Sequence, residues 1–464
     1  MYRTHTCGEL KKSHVGTTDV KLCGWVQNRR DHGGVSFIDV RDRYGLTQIV
    51  FVKGVDKEMF AEAKKLRMED CICITGEVNA RQEKSVNPNM PTGEIEVLAK
   101  GLQVFSRSAD LPFMIDPGIE AAEEIRLTHR YLDLRRSDMK DNLVIRHKAA
   151  MAARNFLSEQ NFLEIETPTL NKSTPEGARD FLVPSRMNPG EFYALPQSPQ
   201  LFKQMLMVSG FDRYFQVARC YRDEDLRKDR QPEFTQIDME ISFGGQEDLI
   251  TVIEGMMKRM FNETLNIDLK TPFPRMTHKE AADQYGSDKP NLPGDDPFRF
   301  LWVVDFPMFK FDKESNSWTA EHHPFTMPKS EDLDKFDTDP GSMLSYAFDL
   351  VMNGNELGSG SVRIHDAEIQ KKVFSRINLT EEEAKVKFDF LLRAFEYGPP
   401  PHAGFAVGLD RIVMLMRNAQ SIRDVIAFPK NQKGQCLMSA APSVVSPSQL
   451  DELCVKINMP EKDK

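Results

Sequence analysis

Apolar and polar residues alternate along five short runs between residues 21 and 99: KLCGWV, VSFIDVRD, LTQIVFV, CICITGEV and EIEVLA. A period of two puts successive side chains on opposite faces, so each run predicts a strand with one buried face. A stretch of helical period, residues 57–67, falls between the third and fourth runs. Five short strands with a helix in that position predict a small closed barrel. Beyond residue 106 the pattern breaks. Prolines at 112 and 117 and the basic string RLTHRYLDLRR predict a hinge over 107–138. Apolar residues then recur at helical spacing from 139 to 160, through Leu143, Ile145, Ala149, Ala153, Phe156 and Leu157. The run FLEIETPTL follows and predicts a strand ending at Pro168. The chain therefore divides into a barrel at 1–106, a hinge at 107–138 and a second domain at 139–464.

The most informative stretch is 214–243, YFQVARCYRDEDLRKDRQPEFTQIDMEISF. An alternating apolar run leads into a charged loop at 223–233, and a second alternating run starts at Phe234. This predicts an antiparallel hairpin. On its second strand Phe234, Gln236, Asp238 and Glu240 share one face, and Thr235, Ile237, Met239 and Ile241 share the other. One face is core. The other offers an aromatic ring, an amide and two carboxylates, with Arg222 and Glu224 at the mouth of the loop. A guanidinium suits phosphate and acids suit amines. By composition alone a surface hairpin with a solvated turn fits equally well.

Composition narrows the class. A length of 464 residues predicts two or three domains, and 40% hydrophobic residues can build ordinary cores. No apolar run approaches the ~20 residues of a membrane span, and MYRTHTCGELKKSH lacks the apolar core of a signal peptide. Seven scattered cysteines without zinc-site spacing predict buried thiols in a reducing, cytoplasmic setting, with no zinc. A net charge of −9 argues against a non-specific nucleic-acid coat and leaves room for local basic patches.

Other stretches carry candidate chemistry. STPEGARDFLVPS, with Glu176, reads as a loop able to close over a site. Gln200 and Lys203 are three apart and share a helix face. In EHHPFTMP, His322 and His323 on a strand would point to opposite faces, so at most one enters a site. In AFDLVMNGNELGSGSVRIH, Asn353-Gly354 predicts a tight turn, and Ser361, Arg363 and His365 alternate onto one face. Gly358 and Gly360 allow a ligand close to the backbone. Asp349 and Glu356 flank the turn, and their hard oxygens suit Mg²⁺ beside a phosphate, although a solvated acid is the commoner case. In PPPHAGFAVGLDRIVMLM a glycine-rich strand end passes into a helix with Gly408, Leu409, Asp410 and Arg411 at its start, a geometry suited to phosphate. In the barrel, Arg29, Arg30, Phe37, Arg41, Arg43 and Gln48 have the chemistry to hold a single strand, with Phe37 either core or base platform.

YRDEDLRKDRQPEFTQIDME resembles motif 2 of class II aminoacyl-tRNA synthetases, and its wording resembles the bacterial aspartyl type. The long helix with the strand ending in Pro168 resembles motif 1, which builds the dimer interface of that family. GLDR and the helix after it resemble motif 3, and PQSPQLFKQ resembles the aspartyl subfamily. The resemblance implies an α+β protein: an N-terminal OB-fold β-barrel, and a class II catalytic domain on an antiparallel sheet flanked by helices. It implies an aspartate–tRNA ligase that uses ATP with Mg²⁺ and no organic cofactor. The partners would be L-aspartate, tRNA-Asp and a second copy of the chain, with no membrane.

By the same resemblance, aspartate would contact Glu176, Gln200, Lys203, Arg222, Asp238, His322, His323 and Arg363. ATP would contact Arg222, Asp223, Glu224, Gln231, Phe234, Glu356, Gly408, Leu409, Asp410 and Arg411, with Arg222 on the α-phosphate, Arg411 on the γ-phosphate and Phe234 under the adenine. Mg²⁺ would sit on Asp349 and Glu356. Arg29, Phe37 and Gln48 would bind the anticodon. tRNA-Asn stays open as a second acceptor: RRDHGG with His32 resembles the relaxed type, and Lys84 in ARQEKSVN the strict type. One departure stands out: the inserted domain usual in bacterial relatives is absent, replaced by a short linker near 291–297. A sister synthetase for asparagine or lysine, a class II-derived amide ligase and a non-catalytic RNA-binding paralogue remain as alternatives.

Overall fold

The computed structural model describes residues 1–174 and 178–459. They form two compact units, one of Met1–Ala121 with Arg135–Lys140, the other of Ala122–Leu134 with the described residues from Asp141 onward. The segment expected to be a hinge is thus shared between the units.

The first unit is a closed barrel in the order Val20–His32, Val35–Arg41, Leu46–Val52, Ile95–Ser106, Cys71–Ala80, which pairs back onto Val20–His32. The helix Lys57–Ala63 lies between the third and fourth strands in chain order, and Asp56 caps it by accepting from the Glu58 and Met59 amides at 2.9 Å. Leu22, Val26, Ile38, Val40, Ile49, Phe51, Ile72, Ile74 and Val78 fill the barrel, which is what period-two alternation requires of a closed sheet.

The second unit is built on an eight-stranded sheet in the order Arg275–Thr277, Phe300–Val304, Ala347–Met352, Asn355–Val362, His402–Gly408, Glu233–Ser242, Arg213–Tyr221, Leu163–Glu164. Only the two edge pairings are parallel; the rest are antiparallel. The helix Gln246–Leu265 lays Leu249, Ile253, Met256, Met257, Met260 and Phe261 on one sheet face, against Ile237, Met239, Ile241, Leu350, Trp302, Phe405 and Val407. Full burial of such a side chain contributes about 1.5–3 kcal/mol over leaving it exposed. That layer therefore fixes which way the opposite, polar face points.

Two local expectations are corrected. FLEIETPTL forms only the two-residue strand Leu163–Glu164. Its ladder ends because Gln216 Oε1 accepts from both the Thr167 amide (3.2 Å) and the Thr167 hydroxyl (2.9 Å), and Pro168 has no amide to give. The two histidines of EHHPFTMP lie in a turn and not on a strand, since the Thr326 amide bonds back to the His323 carbonyl at 3.1 Å. The opposite-faces rule fails there, and both histidines are half-buried in the second unit.

Candidate active site

The hairpin 214–243 supplies the floor. Arg213–Tyr221 and Glu233–Ser242 pair with Asp238 opposite Gln216 and Glu240 opposite Tyr214. Strand alternation turns Asp238 and Glu240 to the polar face while Ile237, Met239 and Ile241 anchor the other. Two cations meet this pair. Lys203, on the helix Gln200–Val208, places Nζ 2.8 Å from Asp238 and 3.3 Å from Glu240. Arg363, just past the strand Asn355–Val362, donates Nε to Glu240 Oε1 at 2.9 Å and Nη2 to Oε2 at 3.2 Å. All four side chains are at most 2% exposed. Buried charges are stable only when paired, and here each cation shares a carboxylate with the other.

The pairing sets the electrostatics. Burial pushes the Asp238 carboxyl up, outweighing Lys203. Burial also works against the charge on Glu240, but Arg363 and Lys203 together hold it below the ordinary carboxylate value. Arg363 Nη1 donates to Ser361 Oγ at 2.6 Å and faces His323 Nε2. Burial, and then that guanidinium, depress the His323 pKa well below its ordinary value, so the imidazole is neutral. Burial likewise lowers His322 to about 4, and its Nε2 has no partner among the described residues. Gln200 is buried and donates to Gln204 at 3.2 Å, and Gln204 in turn meets His402 at 3.1 Å.

A second group forms beside the hairpin loop. The Arg222 guanidinium lies 5.0 Å over the ring of half-buried Phe234, within cation–π range. The Asp223 amide donates to the Arg179 carbonyl, and Glu224 accepts from Arg230 at 3.0 Å. Gln231 is committed to the backbone of Lys430, donating at 3.0 Å and accepting at 2.7 Å. Gly408 caps the helix Leu409–Met416. Asp410 is buried, accepts from the Thr235 amide at 2.7 Å and pairs with Arg146, so it ties helix to hairpin. Arg411 turns away from it, donating to the Glu356 carbonyl and approaching Asp229 at 3.4 Å.

Asp349 and Glu356 stand near each other across the Asn353-Gly354 turn, on paired strands. Burial, and then the Glu356 charge, raise the Asp349 carboxyl well above its ordinary value, and its Oδ1 has no partner among the described residues. Burial opposes the Glu356 charge too, but Lys289, with Nζ 2.8 Å from Glu356, wins and lowers it. An orphaned buried carboxylate oxygen beside a second acid fits a hard divalent ion completed by phosphate oxygens. Glu176 lies outside the described residues.

In the barrel unit, Phe37 is half-buried, outside the core cluster, with its edge against His32 at 6.2 Å. Gln48 donates to Glu96 at 2.9 Å and accepts from Arg30 at 3.1 Å. Arg29 is bonded to the carbonyls of Lys64 and Leu66.

Sequence reasoning placed Glu240 on the right face but gave it no role, although its position two residues beyond Asp238 was the available signal. Lys289 carried no signal of its own in the sequence, because its carboxylate partner is supplied by a different strand of the sheet.

The buried two-cation, two-carboxylate floor, the aromatic–guanidinium platform and the acidic pair all lie on the antiparallel-sheet unit, and the sequence comparisons identify the family of that unit. Residues 122–432 match the family described as tRNA synthetases class II (D, K and N), and residues 20–105 match the OB-fold nucleic acid binding domain. The chain belongs to the class II tRNA synthetases. It is 42% identical over 584 aligned positions to the "Aspartate--tRNA(Asp/Asn) ligase" of Caldanaerobacter subterraneus subsp. tengcongensis, covering 98% of each chain. It is 43% identical to the "Aspartate--tRNA ligase" of Ruminiclostridium cellulolyticum, again covering 98% of each. Among solved structures, asparaginyl-tRNA synthetase from Pyrococcus horikoshii complexed with asparaginyl-adenylate shares the fold with a TM-score of 0.76 at 24% identity, covering 92% of this chain and 98% of that one. Aspartyl-tRNA synthetase from Entamoeba histolytica shares it with a TM-score of 0.72 at 23% identity, covering 91% and 90%.

Proposed function

We infer that the protein is an aspartate–tRNA ligase. The observation that carries the reading is the buried pairing of Lys203 and Arg363 with Asp238 and Glu240. Asp238 and Glu240 balance these two cations and hold them in place, and a bound side-chain carboxylate that draws donors from Lys203 and Arg363 makes charge-assisted hydrogen bonds that an amide makes only weakly. The aspartate α-carboxylate attacks the α-phosphorus of ATP and pyrophosphate leaves; the 3′-hydroxyl of the terminal adenosine of tRNA then attacks the aspartyl-adenylate and AMP leaves. Catalysis comes from positioning and fixed charge, with no protein nucleophile.

In this reading Arg222 neutralises the α-phosphate and Phe234 stacks the adenine, supported by their 5.0 Å contact. Arg411 takes the γ-phosphate; Asp223, Glu224, Gln231, Gly408, Leu409 and Asp410 shape the nucleotide pocket, Gln231 and Asp410 by holding its walls. Glu176, Gln200, His322 and His323 complete the amino-acid pocket. Asp349 and Glu356 would hold Mg²⁺, which when bound offsets phosphate charge. Phe37 and Gln48 read the anticodon, with Arg29 bracing that surface through its carbonyl bonds.

The wider reading has residues 1–106 as the anticodon-binding part, 107–138 as the connector and 139–464 as the catalytic part, in a cytoplasmic homodimer. Exposed Met151, Leu163 and Leu170 on the segment resembling motif 1 support the dimer. No described helix is long and apolar enough to cross a membrane. A shortened chain is supported by the 584 aligned positions spanned by 464 residues, with the linker near 291–297 as the point of shortening.

ATP–pyrophosphate exchange with aspartate, asparagine and lysine in parallel tests the reading. Exchange with aspartate alone is expected; exchange with asparagine or lysine instead overturns it. Charging of tRNA-Asp and tRNA-Asn transcripts then decides the acceptor.

A further inference from the structure

The segment between the helix His278–Tyr285 and the strand Phe300–Val304 is tied down along its length. Arg299 donates Nε to the Leu292 carbonyl at 2.6 Å and Nη2 to Asn291 Oδ1 at 2.9 Å. Asn353 accepts from the Arg299 amide at 3.0 Å and donates to the Pro297 carbonyl at 2.7 Å. The segment also lies against the Asn353-Gly354 turn. Gly354 has φ +75°, and a Cβ there would stand 3.3 Å from Asn291 Cβ and 3.7 Å from the Lys289 carbonyl. This is the turn that joins the strands of Asp349 and Glu356.

So seated, the segment delivers Lys289 to the acidic pair, with Nζ 2.8 Å from Glu356 Oε2. Asp349 is 4% exposed and its Oδ1 has no hydrogen-bond partner among the described residues, whereas the Lys289 side chain is 38% exposed. Asp349 is buried in the strand, and the Lys289 ammonium that pairs with Glu356 is on the open side, with room to leave.

We propose that Lys289 is a resident counter-ion of the Asp349/Glu356 pair: its ammonium holds the place of a divalent ion in the nucleotide-free protein, and metal loading requires it to leave Glu356. The inference rests on assigning the metal that accompanies ATP to this pair. Two carboxylates around one turn repel each other and would collect any free divalent ion. An ammonium on a flexible stem satisfies them without fixing a geometry, and is compact enough to be exchanged. Metal bound to ATP brings phosphate oxygens with it, so the displaced ammonium finds anions within reach of its stem. Metal without nucleotide offers it none. The device therefore favours metal–nucleotide over bare metal.

The probe is Mn²⁺ titrated into the nucleotide-free, full-length protein, with free Mn²⁺ read by its electron paramagnetic resonance signal. Lys289→Met and Lys289→Gln should each bind Mn²⁺ about tenfold or more tightly than wild type. Lys289→Arg should stay near wild type, and Glu356→Gln added to Lys289→Met should remove the gain. Equal Mn²⁺ affinity in wild type and both neutral variants overturns the counter-ion and leaves the ligase reading intact. Wild-type protein that gives no exchange with aspartate overturns the ligase reading, while the Mn²⁺ comparison still reports on the pair.

Discussion

Arg363 and Glu240 meet in a two-pronged pair, Nε to Oε1 at 2.9 Å and Nη2 to Oε2 at 3.2 Å, although 123 residues separate them in the chain. The pair exists because position 404 is glycine: a Cβ there would stand 1.5 Å from Glu240 Oε2 and 2.8 Å from Arg363 Nη2. Breaking one side of a buried pair strands the other charge, at about 3–5 kcal/mol. Glu240→Gln keeps the shape and removes the charge. It should lower unfolding free energy in urea and raise the KM for aspartate in pyrophosphate exchange by about tenfold or more, equivalent to ~1.4 kcal/mol. Gly404→Ala should reproduce both effects without touching a charged residue. An unchanged KM in Glu240→Gln would free Arg363 from Glu240's control.

Arg411 is oriented by the Glu356 carbonyl and not by the neighbouring Asp410, which is fully engaged with Thr235 and Arg146. Its only carboxylate contact among the described residues is the long one to half-exposed Asp229 at 3.4 Å, which a phosphate can replace. Arg411→Ala should cut pyrophosphate exchange by about 10²-fold or more, the scale of removing a fixed transition-state charge, while tRNA binding by filter retention stays near wild type. Near-normal exchange in that variant would take Arg411 out of the site.

Phe37 stands outside the barrel core, between Ser36 and Ile38, which are both buried. Phe37→Ala should therefore cost little stability and leave adenylate formation unchanged. It should weaken tRNA charging by one stacking contact, about 1–3 kcal/mol. A parallel loss of thermal stability and exchange would make Phe37 part of the core instead.

What was legible in the sequence was periodic. Alternation set Asp238 and Glu240 against Ile237, Met239 and Ile241, and helical spacing put Gln200 and Lys203 on one buried face. Partners across the sheet were not legible, because period says which way a side chain points and not what meets it. Hence Glu240 had a face without a role, and Lys289 had neither. The histidine pair failed for a different reason. The strand rule was applied to a segment that turns at Pro324, where the Phe325 amide donates to His323 Nδ1 at 3.2 Å and local bonding overrides alternation. Arg29 and Gln231 had the right chemistry, but each is bonded to backbone carbonyls that no local pattern announces.

His402 is fully buried, with Nδ1 donating to the Pro400 carbonyl at 2.8 Å and Nε2 accepting from Gln204 at 3.1 Å. Burial lowers its pKa from the ordinary value, only partly offset by Glu240, while Arg363 and His365 push the same way as burial. His323 is depressed for the same leading reason. A histidine whose folded pKa lies below its unfolded one takes up a proton on unfolding. Its stabilising contribution is therefore complete above the unfolded value, ~6.5, and is lost as pH falls below it, at up to ~1.4 kcal/mol per pH unit for each such group. The raised Asp238 and Asp349 carboxyls titrate in the opposite sense, so the histidine contribution is read as the difference between wild type and variant in urea unfolding at pH 7.5 and 5.5. His402→Gln, which keeps a donor for Pro400 and cannot titrate, should flatten that dependence even though its stability at pH 7.5 is lower. An identical slope in the two proteins would mean that His402 does not take up its proton in that window.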